Sequence, residues 1–138
     1  MEKNTGRLLK QASNQLGRQF DKFAKQYELT GTQMSIIDFL SHKEKSAYFQ
    51  QDIEKEFNIQ RSTTTVLLQR MEKKELIYRK TSQKDARQKS VHLTCKALSL
   101  AKECQQYFKK QEKKLAQQFL EEECAIFEKI LLFYIKEN

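Results

Sequence analysis

The sequence predicts a mainly α-helical fold carrying one small β-hairpin, and three observations predict it. Proline is absent and only three glycines occur in 138 residues, so long helices with short connections are favoured. Apolar residues recur at helical spacing along most of the chain. The exception is a pair of short segments, Ile77–Thr81 and Ser90–Leu93, where β-forming residues alternate on either side of a polar stretch.

Taken in order, Leu9, Leu16, Phe20, Phe23 and Tyr27 mark an amphipathic helix over about residues 4–27. Leu29-Thr30 is a helix entry, with Thr30 as N-cap and Gln33 in the capping-box position. Met34, Ile37, Phe39 and Leu40 give this second helix its apolar side, and it should fade near His42–Ser46. A short third helix is expected over Phe49–Phe57, with Ile53 and Phe57 inward, followed by a tight turn at Asn58-Ile59. The fourth helix, about Gln60–Lys74, should bury Val66, Leu67 and Met71 and be capped at Arg61 or Ser62. Two helices joined by so short a turn follow the helix-turn-helix plan.

The hairpin comes next, its strands separated by an eight-residue loop, Ser82–Lys89. Thr94 then caps a long helix whose stripe is Leu98, Ala101, Phe108, Leu115 and Phe119. Glu121–Glu123 open a last helix, where negative charge suits the dipole. Ile126, Phe127, Ile130, Leu131, Phe133, Tyr134 and Ile135 make it more apolar than a small domain covers alone. With 38% hydrophobic and 32% charged residues, the chain suits a core shared between subunits.

The charge is concentrated. Gln60–Lys89 holds nine Lys/Arg against three acids, +6 of the chain's +8, while the flanks carry +1 each. A basic helix beside a basic hairpin can neutralise phosphates along a nucleic-acid duplex. Arg61, Ser62, Thr63, Thr64 and Thr65 open the fourth helix although three threonines are poor helix formers. Their place is explained if they face base edges in a major groove, with Gln69 and Arg70 reaching the backbone or outer bases. The plainer alternative is that they only cap the helix. In the hairpin loop Lys84, Arg87 and Lys89 are basic, and a slender hairpin with an Arg near its tip suits a narrow minor groove. Asp85 could hold the Arg87 guanidinium in a bidentate pair, although spacing alone favours the alternative of an exposed pair of little worth.

From Leu29 to about Leu98 these motifs resemble the MarR (multiple-antibiotic-resistance regulator) family. The residues that carry the likeness are Leu29-Thr30 with Gln33, Ile59–Thr65 leading to Leu68, Arg70 and Met71, and Asp85-Ala86-Arg87 with Leu93-Thr94. The resemblance implies a winged helix-turn-helix regulator occupying residues 1–138 as a single domain. Within it, residues 29–98 would form the DNA-binding lobe, and 4–27 and 94–138 the dimerisation helices. Gln60–Lys74 would be the recognition helix, Arg87 the minor-groove arginine and Asp85 its buttress. The expected partners are a second copy and a pseudo-palindromic double-stranded operator, and the expected role is that of a repressor released by a small molecule or a stress signal. Relatives bind small aromatic anions in a cleft that Phe20, Phe23, Tyr27 and Phe39 could line, although such a stripe is usually core. One departure is Glu75, where the family often has Gly after the recognition helix.

Other chemistry is thinly represented. No nucleophile–base pair, phosphate-binding glycine loop or paired carboxylates appear, so no enzyme is expected. His42 and His92 lie in different elements, so neither metal nor cofactor is expected. Cys95, Cys104 and Cys124 are an odd number without metal-type spacing. Cys104 and Cys124 suit buried positions, and Cys95, just after a helix N-cap, is the weak candidate for redox chemistry. No apolar run approaches the roughly 20 residues needed to cross a bilayer, and MEKNTGRLLKQ lacks a signal peptide's apolar stretch, so a cytoplasmic location is expected. The rival reading is a non-specific architectural or RNA-binding protein using the same basic patch.

Overall fold

The computed structural model describes residues 3–136. Helices α1 (Thr5–Lys25) and α2 (Gly31–Ser41) are followed by β1 (Tyr48–Phe49), α3 (Gln50–Phe57) and α4 (Arg61–Lys73). After them come β2 (Ile77–Thr81), β3 (Lys89–Leu93), α5 (Cys95–Gln118) and α6 (Glu121–Lys136). The chain divides into two compact units, one up to Ala101 and one from Lys102 onward.

In the first unit, α1 starts at Asn4, whose side chain accepts the Arg7 N–H at 2.9 Å. Phe20, Phe23 and Tyr27 are half-buried and pack in sequence, the first pair tilted and the second edge-to-face, with ring centroids 5.7 and 5.5 Å apart. Leu16, expected on the same stripe, is 54% exposed, whereas Ala24 is fully buried. The helix ends where Glu28 turns left-handed (φ 61°) and the Leu29 N–H reaches back to the Ala24 carbonyl at 3.1 Å.

The capping box predicted for α2 is present. Thr30 Oγ1 accepts the Gln33 N–H, and Gln33 Oε1 accepts the Thr30 N–H, both at 3.1 Å. Gly31 opens the helix against α1, where a Cβ would meet the Asp21 carboxylate. Met34, Ile36, Ile37 and Leu40 are the buried apolar residues of α2. Ile36 was not among those expected, because α2 is enclosed on more than one side. Phe39 bridges to Tyr48 and Phe57, with centroids 5.0 and 5.8 Å apart.

Sequence reading foresaw a two-stranded hairpin. The sheet has three strands in the order β1-β3-β2, all antiparallel. Tyr48 pairs with Val91 and Phe49 with Ser90, so Phe49 ends a strand and caps α3 rather than beginning it. Two residues are too short for a period-2 pattern to register. Lys89 pairs with Thr81, which shortens the predicted loop to Ser82–Gln88.

The inward side of α4 also differs from the expectation. Thr64, Leu68 and Met71 are buried, at 0% exposure, while Val66 is 47% exposed and Leu67 half-buried. Both readings satisfy a helical period, but the second turns the helix by roughly 80°, a little less than one residue's worth of rotation. Core formed by Ile53, Leu68, Met71, Leu76 and Ile77 joins α3, α4 and the sheet. Each such side chain contributes about 1.5–3 kcal/mol when fully buried. Glu75 itself takes the left-handed conformation (φ 61°) that the family's Gly would adopt, and the Leu76 N–H closes the turn onto the Met71 carbonyl at 2.9 Å. Thr94 Oγ1 donates to the Glu75 carbonyl at 2.7 Å and accepts the Ala97 N–H at 3.2 Å, so it caps α5 as predicted.

Along α5 the buried stripe is Ala97, Ala101 and Cys104, whereas Leu98 and Phe108 are 43% and 38% exposed. Cys95 is exposed and Cys124 half-buried. In the second unit, α6 begins with Glu121–Glu123, and Glu123 Oε1 accepts the Leu120 N–H at 2.8 Å. No described residue of α6 is buried. Ile126, Phe127, Ile130, Phe133 and Ile135 are between 47% and 73% exposed.

Candidate nucleic-acid interface

Helices α3 and α4 are held together by a left-handed residue and one side chain. Asn58 takes φ 51°, ψ 51°, a conformation Asn adopts more readily than most residues. The Ile59 N–H donates to the Glu54 carbonyl at 3.1 Å. Gln50, at the start of α3, donates through Nε2 to Thr65 Oγ1 at 2.9 Å and to the Arg61 carbonyl at 3.3 Å. It also donates to Glu54 Oε2 at 3.0 Å. The beginnings of the two helices are thus pinned to one another.

The base of this corner is anchored electrostatically. Burial would raise the Asp52 carboxyl, but hydrogen bonds from Lys45 Nζ (2.6 Å) and the Phe49 N–H (2.8 Å) outweigh it. With the charges of Lys45 and Lys55, they hold the pKa below its ordinary value.

The N-cap of α4 is Gln60, not Arg61 or Ser62, and no side chain caps the helix. The backbone is in extended conformation at Gln60 (φ −69°, ψ 154°), and the Gln60 side chain accepts no N–H of the first turn. An uncapped helix start combines N–H groups with the positive end of the dipole, an arrangement suited to a phosphate.

Of the residues assigned to the interface from sequence, Arg61, Ser62, Thr63, Gln69 and Arg70 are exposed on α4. Thr65 is half-buried, donating to the Arg61 carbonyl at 2.9 Å. Thr64 is a correction. It is fully buried beside Leu68 and Met71, and its hydroxyl donates to the Gln60 carbonyl at 2.9 Å. The run of three threonines concealed which of them turns inward, because a Thr can serve a core once its hydroxyl is satisfied locally.

In the wing, Lys84, Arg87 and Lys89 are exposed and Asp85 is half-buried. The loop is closed by the Ser82 N–H on the Gln88 carbonyl at 2.9 Å and by the Gln88 N–H on the Asp85 carbonyl at 3.0 Å. The expected bidentate fork between Asp85 and Arg87 is absent. One carboxylate oxygen, Oδ1, accepts both the Arg87 backbone N–H (3.0 Å) and Nε (3.4 Å), because a spacing of two residues brings the backbone into reach first. The Arg87 side chain remains 92% exposed.

One residue that the sequence does not point to also lines this region. Arg79 lies on β2 with its side chain 22% exposed, and its Nε is buried without a hydrogen-bond partner, 3.8 Å from Glu72 Oε1. Together with Arg61, Thr65, Arg87 and Lys89 it lines a crease walled by α4, the wing and the β1–α3 segment, where Asp52 and Glu54 also sit. Strand alternation was the available signal, since Ile77 and Arg79 share a face. Val66, expected in the core, is instead exposed on the outward side of α4. Among the described residues no group of three His, Cys, Asp or Glu side chains is placed to hold a metal ion.

Residues 27–88 match the model of the MarR family. The chain is 49% identical to the transcription regulator MarR from Oenococcus oeni PSU-1, over 97% of this chain and 100% of that one, with a TM-score of 0.79. It is 26% identical to Staphylococcus aureus MepR in a MepR–DNA complex, over 97% of each chain, with a TM-score of 0.84. To MepR in its DNA-binding conformation the identity is 26%, over 96% of this chain and 97% of that one, with a TM-score of 0.85. No curated protein matches the chain. The chain belongs to the MarR family of winged-helix transcription regulators.

Proposed function

We propose that the protein is a homodimeric regulator that binds duplex DNA in a sequence-dependent manner and represses transcription by occluding a promoter. The carrying observation is the convergence of Arg61, Arg79, Arg87 and Lys89 on a crease walled by the uncapped helix, the wing and the β1–α3 segment. The likeness to a MepR–DNA complex supports the same reading. Residues 29–98 act as the DNA-binding lobe. On α4, Arg61, Ser62, Thr63, Gln69 and Arg70 face the major groove, and Thr65 supports them. Lys84, Arg87 and Lys89 of the wing approach the backbone and minor groove, with Asp85 fixing Arg87.

Residues 4–27 and 94–138 provide the dimer contacts, for which the wholly unburied apolar side of α6 is the strongest support. Among the described residues no helix is long and apolar enough to cross a membrane, consistent with work on DNA in the cytoplasm. The protein performs no catalysis on its partner. A small-molecule or stress signal would relieve repression by favouring a dimer whose recognition helices no longer match successive grooves.

Competition separates this reading from a non-specific architectural or RNA-binding role. A labelled target duplex should survive a large excess of unrelated duplex or RNA at moderate salt. Equal displacement by all competitors would favour the non-specific role.

A further inference from the structure

The outward side of α4 carries one residue whose chemistry differs from that of its neighbours. Val66 is 47% exposed. One turn before it stand Ser62 and Thr63, one turn after it Gln69 and Arg70, and all four are exposed and polar. The buried side of the helix is complete without it, through Thr64, Leu68 and Met71. Local propensity does not explain it either, since a β-branched residue is a poorer helix former than the Lys, Gln or Arg used elsewhere on this surface. It also neighbours no wider apolar patch on α4, so a protein partner would find only a single side chain to hold.

We infer that Val66 reads the C5-methyl group of a thymine in the major groove, making it a specificity determinant of the target site. Its two γ-methyl groups stand at the centre of the recognition side, flanked by the hydrogen-bonding residues that would contact neighbouring edges. The thymine methyl is the apolar feature that the major groove displays, and apolar side chains are its natural complement. Val offers neither donor nor acceptor, so it gains nothing from an amino or carbonyl edge and leaves one unsatisfied when placed against it. In a symmetric dimer the contact occurs twice, at equivalent positions of the two half-sites.

This inference rests on the DNA-binding reading, and the test separates the two. Duplexes selected by the full-length protein from a random pool are resynthesised with deoxyuridine replacing thymine at one symmetric pair of positions at a time. Uracil keeps every hydrogen-bonding group and lacks only the methyl. At one such pair, affinity of the wild-type protein should fall about fourfold per half-site, or about fifteenfold for both, the effect of losing one buried methyl per contact. Val66→Ala should bind the thymine duplex more weakly and be indifferent to uracil at that pair, while Val66→Ile should remain sensitive. If the wild type tolerates uracil everywhere, or if Val66→Ala keeps the same sensitivity, the assignment of Val66 is overturned while the DNA-binding reading survives. Failure to select any duplex would overturn the DNA-binding reading itself.

Discussion

Asp85 holds Arg87 through a single oxygen, Oδ1, which accepts the Arg87 backbone N–H at 3.0 Å and its Nε at 3.4 Å. The contact at Nε is solvent-exposed and contributes little to stability. Its effect is on direction, because backbone and side chain are fixed by the same atom. Arg87→Ala should therefore weaken target binding at least tenfold while leaving the thermal midpoint and the dimer unchanged. Asp85→Ala should weaken binding less, and the double variant should be no worse than Arg87→Ala alone, the signature of residues acting as a unit. Gel-shift titration of the three variants checks this. An Arg87→Ala affinity within twofold of wild type would mean that the wing does not engage DNA.

Thr64 and Arg61 should separate stability from recognition. Thr64→Ala removes buried volume beside Leu68 and Met71 together with the hydrogen bond to Gln60, and should cost about 1–2 kcal/mol. It should leave the selected DNA motif unaltered. Arg61 is exposed, so Arg61→Ala should shift stability by no more than about 0.5 kcal/mol and relax base preference. Urea unfolding and repeated selection distinguish the two. A relaxed motif in the Thr64 variant would place its hydroxyl on the surface after all.

The α3 corner makes a pH prediction. Asp52 has a folded-state pKa below its ordinary value, so its contribution is complete above the unfolded carboxylate pKa of about 3.9. It is lost as pH falls through the folded value. Asp52→Ala, which also removes the acceptor for the Phe49 N–H, should cost about 1 kcal/mol at pH 7. The gap in urea midpoint between variant and wild type should narrow as the solution is acidified below pH 4. A gap of constant size would show that the carboxylate charge contributes nothing.

Dimerisation is tested on α6. Ile130 is 47% exposed and belongs to a helix with no described buried residue. Ile130→Glu should thus break association without disturbing the helix in an isolated subunit. Sedimentation velocity at micromolar concentration should show a shift from dimer to monomer with helical circular dichroism retained. A variant that still sediments as a dimer would remove α6 from the interface.

Much of this arrangement was legible in the amino acids, and the exceptions have physical causes. Thr30 with Gln33, Asn58 after α3 and Thr94 before α5 announced their turns, because each local hydrogen bond or backbone conformation depends on nearby residues. Strand β1 stayed hidden since Tyr48 and Phe49 are ordered by partners more than forty residues away, at Val91 and Ser90. The bounds of α4 were legible in the sequence, but its rotation was not. Val66 looks like core by composition and Thr64 like surface, and the tertiary packing of Leu68 and Met71 reverses both. Arg79 was overlooked for a related reason. It lines a crease formed only when β2, α4, the wing loop and the β1–α3 segment come together.

The most direct test of the central claim is selection of bound fragments from random duplex DNA by the purified protein at moderate salt. Two basic helix-and-wing lobes joined by a two-fold dimer should enrich an inverted repeat whose half-sites are centred about one helical turn apart, roughly 10 base pairs. Enrichment of an isolated half-site, or of no motif at all, would contradict it.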